Sequence, residues 1–166
     1  MEAIISVLGS IASFVGTGIS WFQAYKSSKA KNAAEKYRNE IIDVRKTSDI
    51  SSLIASLRHA LGSMRKYGPA STVQSLEGVN PQRDAEDVQS FVELLSEHRG
   101  YFSGTDNPAS QLIDSANSAI NSFVSAFPDV IQVRRSGMEL YGVLNEFLPL
   151  LTKKLEKLRE KIVAEL

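Results

Sequence analysis

The chain has no cysteine. That excludes a disulfide framework, a thiolate metal site and a thiol nucleophile, and it fits a reducing compartment. Histidine is nearly as scarce, with two residues, so a histidine-rich metal centre is excluded as well. Sustained apolar/polar alternation with β-branched enrichment is missing, which argues against strands. Internal repeats and low-complexity tracts are also missing. Net charge is zero, and no nucleic-acid partner is expected. The most informative absence is local: no charged side chain lies between Glu2 and Lys26.

What is present is globular. Hydrophobic residues make up 43% and charged residues 23% of 166 positions, enough to bury one ordinary core. The zero net charge hides a segregation. Residues 1–67 hold ten Lys/Arg against five Asp/Glu, residues 68–152 four against eleven, and residues 153–166 five against three. The basic section is the one that carries the uncharged stretch. Such a section favours anionic headgroups or an acidic partner, although an acidic middle also balances a basic end within one fold.

Helical periodicity organises the rest. A first helix runs from Ala3 to about Tyr25 and continues as a polar, Lys-rich helix through Asn32–Arg45. Thr47-Ser48-Asp49 offers capping oxygens and predicts a new start. The helix after it has Ile50, Leu53, Ile54, Leu57, Leu61 and Met64 on one face. Gly68-Pro69 predicts its end, through a glycine free to take positive φ and a proline that cannot extend the ladder. Residues 70–79 read as a loop. Asn80-Pro81 and Asn107-Pro108 are two further starts, each an amide-capping Asn before a first-turn Pro. The first turns Val88, Phe91, Val92, Leu95 and Phe102 inward, the second Leu112, Ile113, Ala116, Ile120, Phe123, Val124 and Phe127. Pro128-Asp129 opens the last helix. Its inward row runs from Leu140 through Leu144, Phe147, Leu148, Leu151, Leu155 and Leu158 to Ile162, with Pro149 set to kink or split it. The expected fold is therefore all-α: a four- to five-helix bundle with a hydrophobic N-terminal helix and a long, kinked C-terminal helix. Residues 1–25 form a membrane-directed helix and residues 26–166 the amphipathic bundle, within a single domain overall.

The N-terminal stretch has two faces. Ser6, Gly9, Ser13, Gly16 and Ser20 are spaced 3, 4, 3, 4, flanked by Ser10 and Thr17. Small residues at that spacing let helices approach closely in lipid, or line a passage between several copies. The remaining arc carries Ile4, Ile5, Leu8, Ile11, Phe14, Val15, Ile19, Trp21 and Phe22 and would face acyl chains. The stretch is long enough to cross a bilayer core. Trp21, Phe22 and Tyr25 suit the interface, and Lys26, Lys29 and Lys31 suit headgroup contact from the cytoplasmic side. The same two-faced helix also suits the centre of a soluble bundle. A cleaved signal peptide is disfavoured, because only Met1 and Glu2 precede the stretch and supply no basic region.

Candidate chemistry is thin. His59 and His98 each stand beside an arginine, HExxH is absent, and neither has a second ligand at a convincing spacing. Both read as solvated helix-face residues. Glu93 and Glu97 read as surface acids, Arg134-Arg135 is too short for a nucleic-acid patch, and Leu8-Gly9-Ser10 lacks the lysine and preceding strand of a phosphate loop. The Lys153–Lys161 run reads as the solvated face of an amphipathic helix. No enzyme, metal or cofactor is expected.

The opening MEAIISVLGSIASFVGTGISWFQAY, followed by a Lys-rich helix and an amphipathic bundle, resembles the HeLo, HeLo-like and Bell-type cell-death execution domains. The resemblance implies a pore-forming defence effector whose N-terminal helix inserts after activation and oligomerisation. Ile4 to Phe22 would insert, with Ser6, Gly9, Ser13, Gly16 and Ser20 as the packing or pore-lining face. The bundle would regulate and assemble it. No sensor domain or amyloid-like motif follows, so a separate sensor or activator protein would supply the trigger. The expected function is a membrane-targeting, homo-oligomeric effector that permeabilises a bilayer, acting on anionic lipid from the cytoplasmic side. The alternatives are a single-span membrane-anchored interaction protein and a soluble helical scaffold with the N-terminal helix in its core.

Overall fold

The computed structural model describes the backbone of residues 2–102 and 108–165, and the side chains of residues 26–31, 33–102 and 109–164. The fold is all-α. Helix α1 spans Glu2–Met64, α2 Pro81–Glu97, α3 Pro108–Ser125 and α4 Val130–Glu165. Short 3₁₀ turns occupy Arg65–Tyr67, Gln74–Leu76 and Arg99–Phe102. Among the described residues there is no strand. The chain divides into two compact units, Met1–Asp43 and Val44–Leu166.

The described residues of the unit Met1–Asp43 all belong to α1. Lys26, Lys29 and Lys31 are exposed on it, and Lys36 pairs with Glu40 one turn on, at 3.7 Å.

The unit Val44–Leu166 is a helical bundle with a continuous core. Ile50, Leu53, Leu57 and Met64 of α1 are fully buried together with Phe91 and Leu95 of α2, Phe123 of α3 and Leu140, Leu144, Phe147 and Leu151 of α4. Two edge-to-face aromatic contacts cross it. Tyr67 meets Phe123 at 5.0 Å, and Phe91 meets Phe147 at 5.3 Å. The 3.6-residue rows expected on α1, α2 and α4 are the rows that pack, because burying them removes the most apolar area from water.

The expected starts hold where a cap is made. Asn80 Oδ1 accepts the Arg83 amide at 3.2 Å with Pro81 in the first turn. Asp129 Oδ1 accepts the amides of Ile131 and Gln132 at 2.9 and 3.3 Å, so α4 begins as Pro128-Asp129 predicts. The cap on α3 would fall on Asn107, outside the described residues.

Three local expectations are corrected and a fourth is narrowed. Helix α1 does not restart at Thr47-Ser48-Asp49. Ser51 donates back to the Thr47 carbonyl at 2.8 Å, and the Asp49 carboxylate is taken by the Tyr101 hydroxyl at 2.7 Å. The polar atoms that might have capped a new helix are thus used within the old one and across the bundle. Gly68 closes the 3₁₀ turn that follows α1 with φ −59°, not a positive value. A Cβ there would stand 3.0 Å from the Arg65 carbonyl oxygen, and that crowding is what the glycine relieves. Among the described residues the glycine at positive φ is Gly78, at 77°. Val124 and Phe127 are not inward but 50% and 55% exposed. Phe123 takes the core position, Val124 lies about 100° round the helix from it, and Phe127 falls in the turn beyond Ser125. Of the kink or split expected at Pro149, the split does not occur, and α4 runs as one element. Pro149 is exposed within one element, and the buried Phe147 and Leu151 on either side of it outweigh the single ladder bond it omits.

Candidate functional site

Of the residues expected to act, Lys26, Lys29 and Lys31 are exposed along one stretch of α1. The expected lipid-facing residues Ile4, Ile5, Leu8, Ile11, Phe14, Val15, Ile19, Trp21 and Phe22 lie outside the residues whose side chains are described. So do the small residues Ser6, Gly9, Ser13, Gly16 and Ser20. Among the described residues no helix is long and apolar enough to cross a membrane.

Polar chemistry gathers along the join between α1 and α2. A cleft of about 520 Å³ there is lined by His59, Ser63, Lys66, Arg83, Asp84 and Asp87, among others. Asp84 is 5% exposed. One of its carboxylate oxygens takes the Lys66 ammonium at 2.9 Å and the other the Tyr67 hydroxyl at 2.7 Å. Burial first, and the bond to Asp84 second, push the Tyr67 phenol far above the ordinary tyrosine range. Asp87 accepts from the Ser63 hydroxyl and lies 3.7 Å from His59 Nε2.

Serine, histidine and aspartate are therefore neighbours, but in the wrong order for nucleophilic catalysis. A triad needs the imidazole between the hydroxyl and the carboxylate, to take the hydroxyl proton. Here the carboxylate stands between the other two. It binds both side chains of α1 to α2, and the cluster joins elements instead of activating Ser63.

A second junction lies at the far end of α2. His98 Nδ1 is 2.9 Å from the Leu94 carbonyl oxygen, which can only accept, so Nδ1 carries the proton. Nε2 is thereby turned toward Asp49, at 3.9 Å. The bond to Asp49 raises the Tyr101 phenol above its usual range, with burial adding to it. His98 is half-buried and pinned, not the freely solvated residue expected, whereas His59 is 75% exposed. A third junction is Arg134, whose Nε donates to the Ser71 carbonyl at 2.9 Å and to its hydroxyl at 3.2 Å. It holds the loop after α1 onto α4.

Among the described residues no group of three His, Cys, Asp or Glu is placed to hold a metal ion, and no buried side-chain polar atom lacks a partner.

Two apolar surfaces were not foreseen. At the α3–α4 turn, Val124, Phe127, Val130 and Ile131 are exposed above hollows of about 190 and 80 Å³. On α1, Tyr37, Ile41 and Val44 are exposed within a segment read as merely polar and Lys-rich. Their 4, 3 spacing was legible in the sequence; the exposure at the α3–α4 turn left no such signal. No family model, curated protein or solved structure matches this chain.

Proposed function

We propose that the protein is a membrane-directed helical effector that oligomerises and permeabilises a bilayer through residues 4–22. The observation that carries this reading is the charge-free run between Glu2 and Lys26, followed at once by lysines that stand exposed on α1. An uncharged stretch of this length suits hydrocarbon, and a basic collar suits anionic headgroups. Burying each large side chain of the apolar arc contributes roughly 1.5–3 kcal/mol, so several together outweigh the cost of ordering the segment. The likeness of the opening residues to cell-death execution domains supports the same reading. Ser6, Gly9, Ser13, Gly16 and Ser20 would then provide the close-packing face between copies.

Dye release from liposomes tests it. Full-length protein should empty vesicles that contain anionic lipid, and Gly9→Leu with Gly16→Leu should abolish the release. Vesicles that stay sealed at every lipid composition would overturn the proposal. Permanent membrane residence without leakage would favour the anchored interaction protein instead.

A further inference from the structure

Helix α1 carries an apolar row that is separate from the one in the core. Tyr37, Ile41 and Val44 are 65%, 69% and 58% exposed, and their 4, 3 spacing sets them on one face. Ala34 and Ala30, also exposed, extend the same register toward the N-terminus. In the sequence the register continues through Ser27 into the charge-free stretch, so its six positions from Ser27 to Val44 avoid every charge of a Lys-rich segment. A period of 3.5 residues is the spacing of a coiled-coil seam, and Ala30, Ala34, Tyr37, Ile41 and Val44 are its apolar members here. Among its described residues the unit Met1–Asp43 contains no element besides α1, and a helix with such a row is poorly stable in water by itself.

We propose that a second copy of this chain covers this row, with α1 paired to α1 in parallel and in register. Two observations select that occupant. The first is the division of α1 into a charge-free part, residues 3–25, and a charged part from Lys26 onward. Parallel pairing sets each part against its like. Antiparallel pairing along the whole seam would press lysines and arginines against the uncharged part and desolvate them without partners. The second is the pattern of flanking charge. Glu40 precedes Ile41 and Arg45 follows Val44, the i to i+5 relation whose members meet across a parallel pair. Two-fold symmetry makes this contact twice. Lys26 and Lys31 stand in the same relation with like charge and oppose it. The proposal rests on the self-association part of the function proposed above, but not on membrane insertion.

The absence of native cysteine makes the test clean. Ala30→Cys and Val44→Cys are introduced singly into the full-length chain and oxidised without lipid, with helix content checked by circular dichroism. A parallel, in-register pair brings identical seam positions within disulfide reach, so both variants should form disulfide dimers. Asn39→Cys, exposed but off the row, should not. Cross-linking at only one of positions 30 and 44 would overturn the parallel arrangement. Cross-linking at neither, or equally at 39, would overturn the seam. Glu40→Arg should strip the dimer from Val44→Cys and adding Arg45→Glu should restore it; failure of the restoration overturns the charge pairing. Cross-linking without dye release would leave the seam standing and sink permeabilisation, and dye release without cross-linking would do the reverse.

Discussion

Tyr67 packs its ring directly on the backbone of Gly137. A Cβ at 137 would lie 2.7 Å from the ring Cγ and 2.8 Å from Tyr67 Cβ. These atoms are the root of the side chain, and they are held from the other end by the bond to Asp84 and the edge contact with Phe123. The close approach of α4 to the end of α1 therefore depends on a missing methyl group.

Gly137→Ala should accordingly destabilise the protein by about 1–3 kcal/mol, the range for overpacking, even though alanine favours helix. Gly142, one helical segment further along α4, has nothing within 4 Å of its Cβ position. Gly142→Ala should stabilise by roughly 0.5–1 kcal/mol. Urea unfolding of the two variants should give opposite signs, and equal signs would contradict the packing described.

The Tyr67 phenol predicts an alkaline limb of instability. Its folded pKa is raised, so above the ordinary tyrosine value near 10 the unfolded chain loses a proton that the folded chain keeps. Stability is full below that pH and falls as pH rises beyond it. Tyr101 shifts in the same direction from a more open position. Tyr67→Phe should flatten the limb more than Tyr101→Phe. At neutral pH it should cost about 1.5–3 kcal/mol, the range for a hydrogen bond to a charged group. Melting temperatures from pH 7 to 11 would decide it.

Phe123 and Phe127 are one turn apart in sequence and opposite in burial, at 0% and 55% exposure. Phe123→Ala should cost about 3–5 kcal/mol, and Phe127→Ala about 0.5 kcal/mol. Comparable losses at both positions would mean that the turn after α3 packs differently.

Removing residues 1–25 should leave a cooperative melting transition. The core found among the described residues begins at Ile50 and closes on residues of the same unit. A deletion that unfolds the chain would instead support the soluble scaffold with the N-terminal helix in its core.

Most of this bundle could be read from residue spacing alone. The rows on α1, α2 and α4 and the Asn80 and Asp129 caps follow from local chemistry, since helix period and capping oxygens act over a few residues. What escaped was set by distant partners. Asp49 looks like a cap until Tyr101, 52 residues away, claims its carboxylate. Val124 and Phe127 look like core until Phe123 occupies the place. Asp84 looks like an ordinary first-turn acid, and nothing nearby announces that Lys66 and Tyr67 will enclose it. The N-terminal pattern is legible in the sequence because it lies in residue type and spacing alone.

The enclosure of Asp84 also bears on alignment. Leucines and isoleucines recur at each turn of α1 from Ile50 to Leu61, and an oily interface between α1 and α2 would accept a shift of one turn with little penalty. A carboxylate cannot shift so freely. Sliding α1 would strip Asp84 of both partners, and an uncompensated buried charge costs about 3–5 kcal/mol. On this hypothesis the polar triad works as an index mark, permitting one setting of two otherwise permissive rods. Replacing Lys66, Tyr67 and Asp84 together by Met, Phe and Leu should then preserve the melting temperature while amide resonances multiply, and a single sharp set would refute it.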